Sequence, residues 1–130
     1  MAEFHGDRVR GRYDRVDTDA DGRVTIVDYK SSDVRDAATA ARRARESLQL
    51  AIYASAWEAQ HGRPPEGLTL HFLESGIEGH SNATPKRLAA AAQQVATAAE
   101  GIRAGRFEAT PSPTRCGYCP FREICPDAIR

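Results

Sequence analysis

Two periodicities run through the hydrophobic positions of this chain. Residues 24–30, Val-Thr-Ile-Val-Asp-Tyr-Lys, crowd β-branched side chains together, as a largely buried pleated strand does. A more polar run at about residues 9–17 predicts a partner strand. The two are joined by Thr18-Asp-Ala-Asp-Gly22, a turn rich in residues that tolerate positive φ or cap themselves. Ser31, Ser32 and Asp33 then offer capping oxygens. From about residue 36 to residue 61, Ala, Arg, Glu, Leu and Gln dominate, and this predicts one helix. Leu48, Ile52 and Trp57, with Ala51 and Ala56, supply its apolar stripe near the 3.6 period. Gly62-Arg-Pro-Pro-Glu-Gly67 breaks the helix. Residues 68–73 predict a strand, residues 74–76 a turn and residues 77–81 a short edge strand. Thr84-Pro85 opens a second helix, which runs through Val95 to about residue 104 and stops at Gly105.

Side chains alternate across a strand with period two. Asp28 and Lys30 therefore share a face, with Ile26 beside them. Asp14 joins them if the first strand pairs alongside. Bare carboxylates at the apolar end of a sheet repel each other and are costly to desolvate. A divalent cation relieves both problems, and oxygen-only ligands point to a hard ion, Mg²⁺ or Mn²⁺. On the long helix, Gln49 and Tyr53 are four residues apart and stack on one face.

At 130 residues, 41% of them hydrophobic and 28% charged, the chain reads as one ordinary globular domain. No run is long and apolar enough to span a bilayer, and no secretory signal opens the chain, so a cytoplasmic protein without membrane contact is expected. Eighteen basic residues balance eighteen acidic ones. No global basic field then draws in nucleic acid. DNA binding needs local clusters, for which Arg8, Arg10 and Arg12, or Arg42, Arg43 and Arg45, are candidates. Solvated arginines on exposed faces are the competing reading. His71 is assigned no chemistry. Cys116, Cys119 and Cys125, spaced C-x2-C-x5-C, suggest a metal more than a disulfide framework. Zinc and [4Fe–4S] sites normally take four protein ligands, and this chain has three cysteines.

Asp17-x-Asp19-x-Asp21-Gly22 with Asp28 also fits a calcium-loop pattern, except that Asp stands at the final Glu position. The strand-like Val-Thr-Ile-Val that follows, and the lack of a second such loop, weigh against it.

Asp14, then Asp28-Tyr29-Lys30, then Gln49-Leu-Ala-Ile-Tyr53, then the tail Cys119-Pro-Phe-Arg-Glu-Ile-Cys125-Pro126, together resemble the PD-(D/E)XK nuclease superfamily. The branch they most resemble is the RecB-like nucleases with an iron–sulfur tail, found in helicase–nucleases and among CRISPR-associated exonucleases. The resemblance runs from about residue 11 to residue 126. It implies a mixed α/β (α+β) fold: a restriction-endonuclease-like central mixed β-sheet flanked by helices, with a cysteine-rich tail over residues 110–130. It also implies DNA phosphodiester hydrolysis, by an exonuclease acting on single strands or ends in DNA repair, with a UvrD-like helicase motor as partner. Asp14 and Asp28, with a backbone carbonyl, would hold Mg²⁺ or Mn²⁺. Lys30 would position the attacking water, and Gln49 and Tyr53 would line the groove. Cys116, Cys119 and Cys125 would hold a [4Fe–4S] cluster or zinc.

The family's fourth cysteine, and a helix bearing an acid or histidine, precede the first catalytic strand. Neither is found in this sequence, where His5 is the only upstream histidine. The expectation is a fragment of a larger protein. Two alternatives remain: a catalytically incomplete nuclease-like DNA-binding module, and an EF-hand-like calcium-binding protein.

Overall fold

A computed structural model describes residues 2–4 and 6–130. The chain divides into two compact units, residues 1–98 and residues 99–130.

In the first unit, β1 (Ala2–Phe4) and β2 (Asp7–Val9) form a separate antiparallel ribbon. A four-stranded sheet follows in the order β3 (Arg15–Thr18), β4 (Val24–Lys30), β5 (Gly67–Phe72), β6 (Glu78–Ser81). β4 is antiparallel to β3 and parallel to β5, and β6 is antiparallel to β5. A parallel step needs a long crossover. Here it contains two helices, α1 (Ala37–Glu46) and α2 (Leu48–His61). The mixed sheet flanked by helices is the architecture the resemblance implies.

The core forms where Ile26, Leu68, Leu70 and Phe72 meet Ala40 and Ala44 of α1 and Leu50, Ala51 and Ala54 of α2. Leu88 and Ala91 close it from α3 (Pro85–Arg103), whose residues up to 98 belong to this unit. Small residues let α1 approach closely. A Cβ built on Gly79 of β6 would stand 2.0 Å from the Ala40 carbonyl oxygen. Only glycine fits beneath that backbone.

Several boundaries differ from the sequence reading. The strand expected over residues 9–17 is split between β2 and β3, with residues 10–14 outside any strand. Arginines and glycine in that stretch give it little apolar surface to bury. The single helix expected over residues 36–61 is two. Asp36 caps α1 by accepting the Thr39 amide proton at 2.7 Å, displacing the expected Ser31, Ser32 and Asp33. Ser47 caps α2 by accepting from Leu50 N at 3.2 Å. A short hydroxyl competes with the helix for backbone donors, which is why serine favours such breaks. The apolar stripe of α2 also turns. Leu50, Ala51 and Ala54 are buried, whereas Leu48 and Ile52 stay partly open.

The second unit contains the end of α3, the Gly105 turn at φ +67° and the six-residue α4 (Pro113–Tyr118), capped by Ser112. Beyond α4 the chain folds in successive turns, with the Arg122 amide donating to Cys119 O and the Cys125 amide to Phe121 O. Among the described residues no helix is long and apolar enough to cross a membrane.

Candidate active site

β4 is an inner strand, and near its C-terminal end Asp28 is buried, Lys30 half-buried and Tyr29 exposed. Asp28 is 2% exposed and pairs in register with Leu70. β3 ends its pairing at Arg15↔Val27. One residue earlier, Asp14 is held by a side-chain bond, its Oδ2 accepting the Tyr29 amide proton at 3.0 Å. This brings the Asp14 and Asp28 carboxylates to the same strand end.

Lys30 Nζ lies 2.6 Å from Asp28 Oδ2. Apart from that ammonium, the buried oxygen has no directed hydrogen-bond donor. Burial pushes the Asp28 carboxyl above its ordinary range. Lys30 pulls it back down, and the facing Asp14 raises it again. Lys30 Nζ also donates to Gln49 Oε1 at 2.7 Å, and Gln49 Nε2 donates to the Tyr53 hydroxyl at 2.9 Å. The Ser47 break sets this register, because it starts α2 just before Gln49. Asp14, Asp28, Lys30, Gln49 and Tyr53 thus form one connected polar chain.

Tyr53 turns its ring edge-on to Tyr13, with centroids 5.4 Å apart, and the Tyr13 hydroxyl donates to Tyr53 O at 3.5 Å. Burial first, then Tyr53, raises the Tyr13 phenol above its ordinary value. Both rings border a groove of about 380 Å³ that includes Gly11, Leu48, Gln49, Ile52 and Ala56. The sequence reading put Leu48, Ile52 and Ala56 on the apolar stripe of the helix and did not single out Tyr13. The signal was present: α2 carries more apolar residues than one core face needs, and Leu48, Ile52 and Ala56 repeat every four positions.

The two facing carboxylates, one with an oxygen left undirected, fit a small hard cation. Among the described residues no three His, Cys, Asp or Glu side chains gather into a metal-binding group. A two-carboxylate site suits magnesium, which keeps several waters rather than entering an all-protein cage.

The other predicted residues lie elsewhere. Arg42 pairs with Glu46 at 3.3 Å. Arg43 donates to Ser32 Oγ at 3.3 Å and lies 5.1 Å from the Phe72 ring centroid. Arg45 points into a different pocket, with Lys86 and Arg87. The three guanidinium groups thus have different surroundings.

The calcium loop is not built. Asp17 is held by Arg15, Asp19 accepts from Arg23 and the Asp21 amide, and Asp21 pairs with Arg23. Guanidinium groups occupy the would-be ligand oxygens, and a strand follows the loop.

In the second unit, Cys116 is buried, with Sγ accepting the Ile129 amide proton at 3.4 Å, while Cys119 and Cys125 are half-buried and all three are free. They do not gather as a metal group. The iron–sulfur or zinc expectation finds no fit, and no chemistry is derived from it. His5 lies outside the described residues.

A mixed sheet flanked by helices, with a carboxylate and an amine at the end of an inner strand, is a restriction-endonuclease-like arrangement. The profile of the PD-(D/E)XK nuclease superfamily matches residues 2–126, and the chain belongs to that superfamily. No curated protein matches the sequence.

Proposed function

We propose that this chain is a divalent-metal-dependent deoxyribonuclease of the RecB-like branch, hydrolysing DNA phosphodiesters. The observation that carries this reading is the buried, undirected Asp28 oxygen, facing Asp14 and Lys30 at the end of β4. A buried carboxylate raised by desolvation costs stability and is retained where function requires it.

Asp14 and Asp28 would hold Mg²⁺ or Mn²⁺, together with a backbone carbonyl beside Asp28. When bound, the metal supplies positive charge to the phosphate and acidifies water. Lys30 orients the attacking water and offsets the negative charge that develops on the phosphate. Flanked by Asp28 and by Gln49 Oε1, its amine sits beside acceptors only, which suits a positioning donor rather than a general base. Gln49 keeps the amine aimed, and Tyr53 fixes the Gln49 amide. The groove beside Tyr13 and Tyr53 favours unstacked single strands or ends, because aromatic faces receive bases without reading sequence. The RecB-like assignment, and with it a UvrD-like helicase partner, rests on the order of Asp14, Asp28-x-Lys30 and Gln49-x3-Tyr53.

The test is digestion of single-stranded and linear duplex DNA with Mg²⁺, Mn²⁺ or EDTA. Metal-dependent shortening by the wild type, abolished in Asp28→Ala with unchanged circular dichroism, is expected. Cleavage that persists in Asp28→Ala or in EDTA overturns the reading.

A further inference from the structure

Arg87 is partly buried near the start of α3, and its guanidinium is spent on uncharged acceptors. Nη1 donates to Ser81 Oγ at 2.8 Å and Asn82 O at 3.0 Å, and Nη2 to Ala44 O at 2.7 Å and Ser47 O at 3.1 Å. Arg45 and Lys86 are exposed and meet no carboxylate among the described residues. All three cations line one pocket of about 500 Å³, with His80, Ser81 and Thr84. The nearest acids are already engaged: Glu46 with Arg42, and Glu78 with His71 at 3.0 Å and with His80 at 3.7 Å. In a chain of zero net charge, this pocket is a local excess of positive charge.

The pocket also leads somewhere. Arg45 and Arg87 border a second depression that contains Ser47 and Leu48. Ser47 in turn borders a third depression, which holds Lys30 and Arg43. Three neighbouring depressions with shared wall residues thus lie between the Lys30 amine, the α1–α2 break and the three cations, with Glu46 on the walls of the two nearer Lys30.

We propose that the Arg45–Lys86–Arg87 pocket is a phosphate-backbone subsite for the nucleic-acid strand whose scissile diester lies at Lys30. The strand's identity rests on the nuclease reading above. Arg87 shapes the pocket, since its donors are already used. Arg45 and Lys86 are the free cations that meet phosphate oxygens. Such contacts position a strand without reading its bases, so the subsite is independent of sequence.

The test is fluorescence anisotropy of a labelled single strand of about 20 nucleotides, in EDTA so that nothing is cut. The wild-type full chain is compared with an Arg45→Gln/Lys86→Gln double variant. Losing two single-strand phosphate contacts lowers the slope of log K against log salt by about 1.4, and affinity at about 50 mM salt falls roughly tenfold. Hydrolysis of bis(p-nitrophenyl) phosphate, too short to reach the pocket, stays at the wild-type rate. Should the double variant fail to melt cooperatively, Lys86→Glu on the exposed face carries the same test with a larger loss. Unchanged slope and affinity overturn the subsite, as does a wild type that binds no strand. A protein that shows the slope change but cuts neither substrate upholds the subsite and sinks the nuclease reading. A protein that cuts both with an unchanged slope sinks the subsite alone.

Discussion

Asp14 Oδ2 accepts the backbone amide proton of Tyr29 at 3.0 Å, across a gap where the two strands have stopped pairing. A side chain here replaces a ladder bond. The replacement holds the Asp14 carboxylate against the end of β4, one residue from Asp28. The electrostatics of the site follow from that contact, since Asp14 adds to the rise that burial imposes on the Asp28 carboxyl.

Asp28 titrates higher in the folded chain than in the unfolded one. Its stability contribution is therefore full below the unfolded value, about 3.9, and is lost as pH rises through the folded value. In EDTA at pH 7, Asp28→Asn is expected to melt above the wild type, with the difference closing as pH falls toward 4. Added Mg²⁺ or Mn²⁺ stabilises the wild type by about 2.7 kcal/mol at a hundredfold excess over Kd. The same metal leaves Asp28→Asn nearly unmoved. Calorimetric melts at the two pH values check both. A less stable Asp28→Asn at pH 7 contradicts the cause assigned here.

In the proposed mechanism Gln49 acts through Lys30, whose amine its Oε1 holds at 2.7 Å. Lys30→Met is expected to lower kcat by about 10²-fold or more, and Gln49→Leu by about tenfold. The double variant should be no worse than Lys30→Met, because residues acting as one unit are not additive. A multiplicative loss in the double-mutant cycle would show that Gln49 has a separate role.

Gly79→Ala drives a methyl group into the Ala40 carbonyl, which is backbone and cannot swing aside. A loss of about 3 kcal/mol is expected, at the upper end of overpacking costs. Gly101 has nothing within 4 Å of its would-be Cβ. Gly101→Ala in α3 should therefore gain about 0.5–1 kcal/mol through helix propensity. Urea midpoints of the two variants should move in opposite directions.

Arg87→Met removes the donors that hold the Ala44 and Ser47 carbonyls at the break between α1 and α2. Burial lowers the Arg87 value, so the side chain is kept there against a desolvation cost. Ala44 O keeps Ser81 Oγ at 3.1 Å and Ser47 O keeps the Ala51 amide at 3.3 Å, so losing the charged donors should cost about 1.5–3 kcal/mol. Hydrogen exchange should show the loosening first at residues 44–50. Uniform protection along α1 and α2 would contradict the clamp.

Local patterns served best where one element carries the whole signal. The β-branched run of β4 marks the inner strand, and period two puts Asp28 and Lys30 on one face. The four-residue spacing of Gln49 and Tyr53 matches their bond within one helix turn. The acidic hairpin is legible from Gly22, which adopts φ +78°. Reading failed where a signal belongs to pairs of elements. Arg42, Arg43 and Arg45 look like one cluster in sequence, yet the helix turns them toward Glu46, Phe72 and Lys86 in turn. Leu48 and Ile52 look like core, yet α2 buries Leu50 and Ala54 instead.

The sequence by itself determined the sheet-forming strand, the spacing of its acid and amine, and the family, because these depend on neighbours a few residues apart. Tertiary structure alone decided that Asp14 meets Tyr29, that Ser47 splits the helix under the Arg87 clamp, and that Arg45, Lys86 and Arg87 line one pocket. Each of those depends on groups 15 to 43 residues apart in the chain. No local periodicity encodes such a separation, and only packing of the whole unit brings the partners together.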